Sequence, residues 1–309
     1  MQIPIIALVG PTAVGKTDLS IKIAQELNAE IISADSMQIY NELNIGTAKI
    51  SPAEMKNIKH HLINVCSIKE DFSVADFQDE AYKAITDIHA RGKIPFLVGG
   101  TGLYVNSVLY DYHFFPEPDN LSQLRERIKN ISEKKRGKKW LIYYVSKKNK
   151  KILDSFHPNN TQRLIRAVEK TVLLKEIKPP PEKPFALKPL IFGLTRNRAE
   201  LYSRINKRVE EMLEKGWYNE LESLLNNGYL ADLRALQSLG YRELISYSKA
   251  ETDWQETVEL IKRNTRRYAK RQITWFTKDE KIQWFNLSEK PQNEIFKIIL
   301  AYSKSFLYN

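Results

Sequence analysis

The sequence is poor in cysteine, glycine and proline. Its 309 residues include one cysteine, 12 glycines and 13 prolines. The single cysteine, Cys66, can neither close an internal disulfide nor build a cysteine-based zinc site, which excludes disulfide scaffolds and zinc fingers and favours a reducing compartment. The low glycine and proline content excludes fibrous and low-complexity chains. Hydrophobic residues make up 42% of the chain, which is enough for a globular core.

Long hydrophobic runs are scarce as well, and acidic residues are fewer than basic ones. The apolar segment Ile3 to Val9 is too short to cross a bilayer and follows no basic leader, as in a buried first strand. We therefore expect a cytoplasmic protein that has no membrane partner. We also expect a monomer. The 48 lysines and arginines outnumber the 37 acidic residues, for a net charge of +11. This excess predicts attraction to polyanions, of which nucleic acid is the first candidate.

Strand-like and helix-like segments alternate through the N-terminal third. Uninterrupted apolar runs predict buried strands at Ile3 to Val9, Glu30 to Ala34 and Ile94 to Val98. The spacing of apolar residues predicts helices at Lys16 to Asn28 and at about Val74 to Arg91. This alternation is typical of a parallel sheet with helices on both faces, hence of an α/β fold.

The segment after the first strand has the pattern of a phosphate-binding loop. Residues 10–17 fit G-x-x-x-x-G-K-[ST] between a predicted strand and a predicted helix. In such a loop the backbone N–H groups and the helix N-terminus bind phosphate, Lys16 neutralises charge and the Thr17 hydroxyl ligates Mg²⁺. The diphosphate-binding candidates are Gly10, Pro11, Thr12, Ala13, Val14, Gly15, Lys16 and Thr17. A plain strand-to-helix turn is the alternative, and kinases, NTPases and diphosphate-using transferases all remain open.

The chain divides into three parts. Residues 1–115 form the first part of a P-loop NTPase-like parallel sheet with flanking helices. Residues 116–189 are rich in helix formers and basic residues and close with a proline cluster, which indicates an all-helical insertion domain. Residues 190–309 return to the core with a strand at Leu190 to Leu194 and continue as a helical C-terminal part with a basic face.

Two further segments follow predicted strands, where the ligands of open α/β sheets bind. Asp35 is a magnesium ligand, a general base beside the phosphate site, or only the cap of the segment that follows it. The third strand ends in Gly99-Gly100-Thr101-Gly102, which indicates either a close approach to this backbone or a tight turn that needs glycine.

Two stretches are strongly basic. A predicted helix carries two i, i+4 rows of cations without an intervening acid, which favours phosphate contact over a solvated face. The six residues are Lys262, Arg263, Arg266, Arg267, Lys270 and Arg271. The second stretch, Lys134 to Lys151, has nine lysines and arginines and no acid around Trp140, Tyr143 and Tyr144. A nucleic-acid clamp and a solvated surface are equally open for it.

These motifs resemble the tRNA dimethylallyltransferases, also called tRNA isopentenyltransferases, of the bacterial type. The similarity runs through nearly the whole chain in family order. Beyond residues 10–17, it rests on Ile32-Ser33-Ala34-Asp35-Ser36-Met37-Gln38-Ile39-Tyr40, Asn44-Ile45-Gly46-Thr47-Ala48-Lys49, His60-His61-Leu62, Phe72-Ser73-Val74-Ala75-Asp76-Phe77, Val98-Gly99-Gly100-Thr101-Gly102-Leu103-Tyr104, His157-Pro158-Asn159-Asn160-Thr161-Gln162-Arg163, Gly240-Tyr241-Arg242-Glu243 and Lys270-Arg271-Gln272-Ile273-Thr274-Trp275-Phe276.

The resemblance implies transfer of a dimethylallyl group from dimethylallyl diphosphate to the exocyclic amine of the adenosine 3′-adjacent to the anticodon, in tRNAs reading codons that begin with U. Lys16 and Mg²⁺ on Thr17 would stabilise the departing diphosphate. The family pattern makes Asp35 the base that takes the proton of the amine. Thr101 would hold the bridging oxygen of the donor or the target base.

The resemblance also implies a set of tRNA contacts, mainly with the anticodon stem-loop, from which the target base turns into the site. They are Asp35, Ser36, Met37, Gln38, Thr101, Gln123, Asn159, Asn160, Thr161, Gln162, Arg163, Gln237, Ser238, Leu239, Gly240, Tyr241, Arg242, Lys270, Arg271 and Gln272. Without the family, residues 159–163 are also typical of a helix cap and a surface helix. Gln237 departs from the arginine of many bacterial members. The pair His60-His61 lacks partners for a metal site, so structural or RNA-facing roles are expected.

Two other functions compete with this interpretation. A P-loop kinase of a small molecule or nucleoside would use the same loop and a similar aspartate, but it would consume ATP. A non-catalytic RNA-binding protein would keep the loop only as structure, and it would not need Asp35.

Overall fold

The computed structural model describes residues 2–110, 112, 114, 121–154, 156, 157, 159–173 and 185–308. The chain divides into two compact units. The first consists of Met1–Tyr112 and Pro184–Asn309, and the second is His113–Lys183. Each unit is described below by itself.

The first unit is built on a six-stranded sheet in which every neighbouring pair is parallel. Its order is β3-β2-β4-β1-β5-β6. The strands are β1 (Gln2–Val9), β2 (Ala29–Ala34), β3 (His60–His61), β4 (Ile94–Gly99), β5 (Ala186–Thr195) and β6 (Gln283–Asn286). The predicted α/β fold with a parallel sheet is confirmed.

The strand expected at Leu190 to Leu194 is longer than the sequence indicated. It starts at Ala186, inside the stretch that we assigned to the insertion, and pairs with β1 from Gln2↔Ala186 to Val9↔Gly193. Lys188 and Pro189 interrupt the apolar run, so periodicity did not reveal this part. The neighbouring strand supplies the pairing that extends it.

Eleven helices are present in the described parts of the chain. They are α1 (Lys16–Glu26), α2 (Val74–Ala90), α3 (Gly102–Leu109), α4 (Leu121–Glu133), α5 (Gly137–Leu153), α6 (Thr161–Leu173), α7 (Arg198–Glu214), α8 (Trp217–Asn226), α9 (Tyr241–Ser248), α10 (Trp254–Phe276) and α11 (Gln292–Tyr308). The long helical C-terminal part is therefore several helices, and it ends with a strand and a helix that the sequence did not indicate. None of these helices is long and apolar enough to cross a membrane.

Both faces of the sheet are buried, which explains the uninterrupted apolar strands. Alternate residues of β1 point to opposite sides. Ile5 packs in a core with α2 and α3, whereas Leu8 packs in another with α1, α7 and α11. A third core joins α8 and α9 to the chain between Ile39 and Ile68. Helices and loops are thereby fixed around the carboxyl end of the sheet.

The second unit contains α4, α5 and α6, and its described residues form no strand. Ile128, Leu141, Val145 and Leu164 lie in its core at 3% exposure or less. The Nε of Arg125 lies 2.8 Å from Oε1 of Glu169 on the third helix. This small core leaves much of each helix exposed.

Candidate active site

Three loops meet at the carboxyl edge of the sheet. The strand order places β4 between β1 and β2, and Gly99 is in register with both Val9 and Ala34. The loop of residues 10–17, the loop after Gly99 and Asp35 consequently lie side by side. Residues that are distant in sequence form one site because these three strands are neighbours.

The P-loop is wrapped around its own lysine. Lys16 Nζ donates hydrogen bonds to the carbonyl oxygens of Gly10 at 2.9 Å and Pro11 at 2.8 Å. Burial and, to a smaller degree, the nearby charge of Arg208 lower the pKa of Lys16, and the carboxylate of Asp35 opposes them, so that the pKa falls to about 7. An incoming anion would restore the charged form of this lysine.

Two arginines hold the P-loop from outside. Arg204 Nε donates to the carbonyl of Ala13 at 2.9 Å, and Arg196 Nε donates to the carbonyl of Val14 at 2.9 Å. Ala13 has a positive φ of 61°, which costs a residue with a side chain about 1 kcal/mol or more. Since both arginines draw carbonyls outward, they stabilise a loop whose amides can face an anion.

Gln272 of α10 ties two loops together. Its Oε1 accepts the Thr12 N–H at 2.9 Å, and its Nε2 donates to the carbonyl of Gly100 at 2.9 Å. A Cβ on Gly100 would lie 2.3 Å from that nitrogen. The group that approaches the backbone of these glycines is therefore the Gln272 side chain. Gln272 is 6% exposed, and both ends of its amide are used. Its hydrogen bonds position the two loops, and the tRNA contact expected for it stays a prediction.

Asp35 stands at the carboxyl end of β2, half-buried in the cavity wall. Its Oδ1 accepts the Met37 N–H at 3.0 Å, so the capping contact expected as an alternative is present. Thr101 Oγ1 accepts the Ser36 N–H at 3.1 Å and lies 3.4 Å from Ser36 Oγ. Thr101 therefore stands beside Asp35, behind the wall of the cavity.

Tyr268 of α10 completes this side of the cavity. Burial raises the pKa of Tyr268 to about 12, and the negative charge of Asp35 acts in the same direction. Its hydroxyl is engaged with Thr101 and Gln272. The phenol thus stays neutral beside the carboxylate and can donate a hydrogen bond.

The site opens into a cavity of about 1030 Å³ within the first unit. Its cationic lining residues are Lys16, Lys49, Arg204, Lys207, Arg208, Lys215, Arg242, Arg267 and Arg271. The acidic ones are Asp18, Asp35, Glu54 and Glu211. Burial lowers the pKa of Arg208, and the carboxylates of Asp35 and Glu211 oppose this shift. The excess of positive charge suits a ligand with several negative charges.

Arg204 and Arg208 were missed by the sequence analysis. They lie one turn apart on α7, and both line the cavity. Their i, i+4 spacing was the available signal, but it is ordinary on a charged helix. Only the packing of α7 beside the sheet brings them to the P-loop.

The Gly240-Tyr241-Arg242 motif is split between the core and the cavity. Tyr241 is 1% exposed, and its hydroxyl donates to Glu220 Oε1 at 2.5 Å. Gly240 has a φ of +90°, and a Cβ there would lie 2.0 Å from the ring of Trp217. Gly240 and Tyr241 are both buried and serve the packing here, and the tRNA contacts expected of them stay predictions. Arg242, by contrast, lines the cavity.

Glu220 is a second residue that the sequence analysis missed. Its carboxylate accepts the N–H groups of Asn44 and Ile45, both at 2.8 Å, and that of Gly46 at 3.2 Å. Together with Tyr241 it fixes this loop, and Gly46 lies in the cavity wall. The motif that starts at Asn44 is thus held by the Glu220 carboxylate of α8, which is distant in the sequence.

The basic face of α10 is less uniform than its sequence. Lys262 Nζ lies 2.7 Å from Glu210 and 3.1 Å from Glu259, so it is neutralised by acids of α7 and of its own helix. Arg266 Nη1 donates to Asn206 Oδ1 at 2.6 Å. Arg267 and Arg271 line the cavity, and Lys270 is exposed. Phosphate contact from all six cations stays a prediction, and the ion pairs of Lys262 argue against that residue.

Further tRNA candidates border the same cavity, among them Ser36 and Met37. Gln38 lies in its wall, where its Nε2 donates to the carbonyl of Thr47 at 3.3 Å. Ser238 and Leu239 also line it. Gln237 is exposed and donates to the carbonyl of Ala231 at 2.8 Å.

The remaining candidates lie in the helical unit. Asn160 Oδ1 accepts the Arg163 N–H at 3.1 Å, so Asn160 caps α6 as the alternative interpretation required. Asn159, Gln162 and Arg163 are exposed at the same end, where Thr161 is half-buried. Gln123 is exposed in the first turn of α4.

The residues present fit a magnesium ion that is held mainly by the ligand. Thr17 is exposed in the first turn of α1, beside the phosphate loop. No group of three His, Cys, Asp or Glu residues suited to a metal occurs in the described chain. Mg²⁺ favours one or two protein ligands together with phosphate oxygens and water. The two histidines are engaged within the protein. His61 Nε2 is hydrogen-bonded to Oε2 of the buried Glu30 at 2.7 Å, and His60 Nδ1 is hydrogen-bonded to the carbonyl oxygen of Ile58 at 2.9 Å.

Comparison with known proteins identifies the family. The family model for IPP transferase matches residues 38–279. A tRNA dimethylallyltransferase of Alkaliphilus metalliredigens is 44% identical over 304 residues, covering 97% of each chain. The crystal structure of a full-length tRNA isopentenylpyrophosphate transferase from Bacillus halodurans has a TM-score of 0.74 at 40% identity, covering 98% of this chain and 96% of that one. A eukaryotic dimethylallyltransferase captured acting on tRNA has a TM-score of 0.77 at 26% identity, covering 99% and 79%.

Proposed function

Since the chain belongs to the IPP transferase family, we propose that it transfers a dimethylallyl group from dimethylallyl diphosphate to the exocyclic amine of the adenosine 3′-adjacent to the anticodon of tRNA. The observation that carries the proposal is one cavity in which a phosphate loop and a carboxylate face each other. The loop suits the diphosphate, and Asp35 suits the amine. We further propose that the protein acts in the cytoplasm as a monomer on tRNAs that read codons beginning with U.

The P-loop would bind the diphosphate of the donor. The amides of residues 13–17 supply neutral donors, whereas Lys16, Arg204 and Arg208 supply positive charge. Mg²⁺, held by Thr17, phosphate oxygens and water, would add Lewis-acid stabilisation of the leaving group. Because the bridging oxygen gains negative charge as the bond to carbon breaks, these groups stabilise the transition state more than the ground state.

Asp35 would act as the general base. The exocyclic amine is a weak nucleophile because its lone pair is delocalised into the ring. As its nitrogen bonds to the donor carbon, the carbon–oxygen bond breaks, diphosphate leaves, and the extra proton on nitrogen passes to the Asp35 carboxylate. The hydrogen bond from Met37 N–H fixes the orientation of that carboxylate.

Thr101 is proposed to donate a hydrogen bond to the bridging oxygen of the donor or to the target base. Its oxygen already accepts the Ser36 N–H, and its hydroxyl lies 3.4 Å from Ser36 Oγ and is also engaged with the Tyr268 hydroxyl. A small turn of the hydroxyl would direct the proton to the donor. Arg242, Arg267 and Arg271 are proposed to bind tRNA phosphates at the cavity, and Lys270 on the neighbouring surface.

The test combines protein, dimethylallyl diphosphate, Mg²⁺ and unmodified tRNA, followed by nucleoside mass spectrometry. We expect an adenosine that is heavier by one dimethylallyl group, formed without ATP. A parallel reaction with ATP and no prenyl donor should form no ADP. ADP formation without a prenylated nucleoside would replace this proposal with the kinase function.

A further inference from the structure

Helix α5 carries an aromatic stripe on the exposed side of the helical unit. Trp140 is 54% exposed and Tyr143 is 61% exposed. Side chains this large and apolar are usually buried. Two of them exposed on one helix face form a patch of the kind that binds a ligand. The spacing of Trp140, Tyr143, Tyr144 and Lys147 is i, i+3, i+4, i+7, which places all four on one side of α5.

The ring positions are held by neighbours. The rings of Trp140 and Tyr144 stack at 5.7 Å between centroids with an angle of 18° between their planes. Tyr144 is half-buried against the core of the unit, so it supports the indole from behind. Lys147 Nζ lies 5.5 Å from the centroid of the Tyr143 ring. A supported ring with an exposed face loses little conformational entropy when another ring stacks on it.

Cations flank the aromatic stripe at both ends. Two cations, Arg136 and Lys139, come before Trp140 in the sequence, and two more, Lys147 and Lys150, come after Tyr143. All four are exposed. The segment from Lys134 to Lys151 contains no acid. Aromatic faces between exposed cations are the arrangement by which proteins bind unpaired nucleotides, through base stacking and phosphate contact.

We propose that this stripe binds unpaired nucleotides of the tRNA substrate by stacking a base on Trp140 or Tyr143. The inference rests on the proposed function in that it takes tRNA as the ligand. A duplex is the weaker ligand, because its bases already stack on each other. An anionic membrane also attracts such a surface, but α5 has turned its apolar residues Leu141 and Val145 into the core, where they are not exposed at all.

The first test measures the dissociation constant of unmodified tRNA for Trp140→Ala. We expect affinity to fall about tenfold, because each stacked base contributes on that order. Trp140→Phe keeps a stacking face and should restore most of the affinity. Tyr302→Ala is the matched control: Tyr302 is 52% exposed on α11 of the other unit, and its loss should change nothing. Circular dichroism shows whether each variant is folded.

Two companion measurements identify the ligand. Trp140→Ala should weaken binding of a hairpin with an unpaired loop and leave binding of a fully paired duplex of equal length unchanged. Lys147→Gln should reduce the slope of log affinity against log salt by about one. Unchanged tRNA affinity in a folded Trp140→Ala protein overturns the inference. Binding to vesicles of phosphatidylcholine and phosphatidylglycerol is measured in parallel. The inference is also overturned if Trp140→Ala weakens binding to these vesicles and leaves binding to RNA unchanged.

The two proposals fail separately. If wild-type protein transfers no dimethylallyl group but Trp140→Ala still loses hairpin affinity, the proposed function is wrong and the stripe remains an RNA site. If transfer occurs and the Trp140 variants bind tRNA like wild type, the function stands and the stripe is not part of it.

Discussion

Helices α10 and α5 carry similar runs of lysine and arginine, yet their surroundings differ. On α10, Lys262 is paired with Glu210 and Glu259, Arg266 is bonded to Asn206, and Arg267 opens onto the cavity. On α5, exposed cations stand beside exposed rings. A run of like charges therefore states only that a surface is basic. The side chains that pack around it decide which cations are available to RNA.

The largest expected effect is on the rate of transfer and not on the tRNA binding of the two basic surfaces. Asp35→Asn should reduce single-turnover transfer by about 10²-fold or more and leave tRNA affinity unchanged, because the amide cannot take a proton but can still accept the Met37 N–H. Rapid-quench assays at saturating tRNA measure the rate. The assay is run below pH 7 so that Lys16 stays charged, because the loss of the Asp35 charge lowers the pKa of Lys16 further. Near-normal rates would refute the assignment of Asp35 as base.

The second effect concerns a cation that neither basic helix contains. Burial, together with the nearby charge of Arg208, lowers the pKa of Lys16 to about 7 in the free protein, so this lysine loses its charge as the pH rises above 7. Binding of the diphosphate favours the charged form, and donor affinity should therefore fall about tenfold or more between pH 7 and pH 9. Calorimetric titration with a non-reactive donor analogue measures it. Lys16→Arg stays charged and should flatten the profile; a flat wild-type profile would contradict the assignment.

The third prediction tests the available part of α10. Lys270→Ala combined with Arg271→Ala should weaken tRNA binding several-fold and reduce the salt slope by about one to two, because two exposed cations no longer release counterions. Binding at several salt concentrations gives the slope. If the slope does not change, this end of α10 lies outside the interface.

The smallest effect is expected at the other end of the same helix. Lys262→Gln should leave the salt slope unchanged, because two carboxylates already neutralise the lysine. Its cost should appear in the unfolding free energy, at about 1 kcal/mol, since a largely buried cation leaves its acidic partners. Denaturant unfolding measures this loss. A reduced slope would show that Lys262 reaches RNA, and the contrast between the two ends of α10 would then disappear.

Much of the core could be predicted from the sequence because its signals are local. The apolar run of β1, the glycines of the P-loop and the periodicity of α1 specify a strand, a loop and a helix within a short stretch. β3, with two residues, and β6, with four half-buried ones, escaped notice because so short a run carries no reliable periodicity.

The candidate site was only partly predictable. Lys16 and Asp35 were identified from motifs, whereas Arg208 and Glu220 reach the site through the packing of α7 and α8. Tyr241 shows the opposite situation. Its place in a motif suggested RNA, but the motif is required by packing, because the buried hydroxyl bonds Glu220. A motif does not reveal whether its residues face a ligand or the core.

By itself, the sequence determined the α/β class, the phosphate loop, the aspartate that follows a strand and the positive charge, because each depends on residue type and short-range spacing. Only the tertiary structure decided that β4 lies between β1 and β2, and so brings three loops to one edge. It also decided that Gln272 fastens two of those loops and that acids neutralise Lys262. These contacts join residues far apart in the chain, and whether a polar group is paired or available depends on which neighbours folding brings to it.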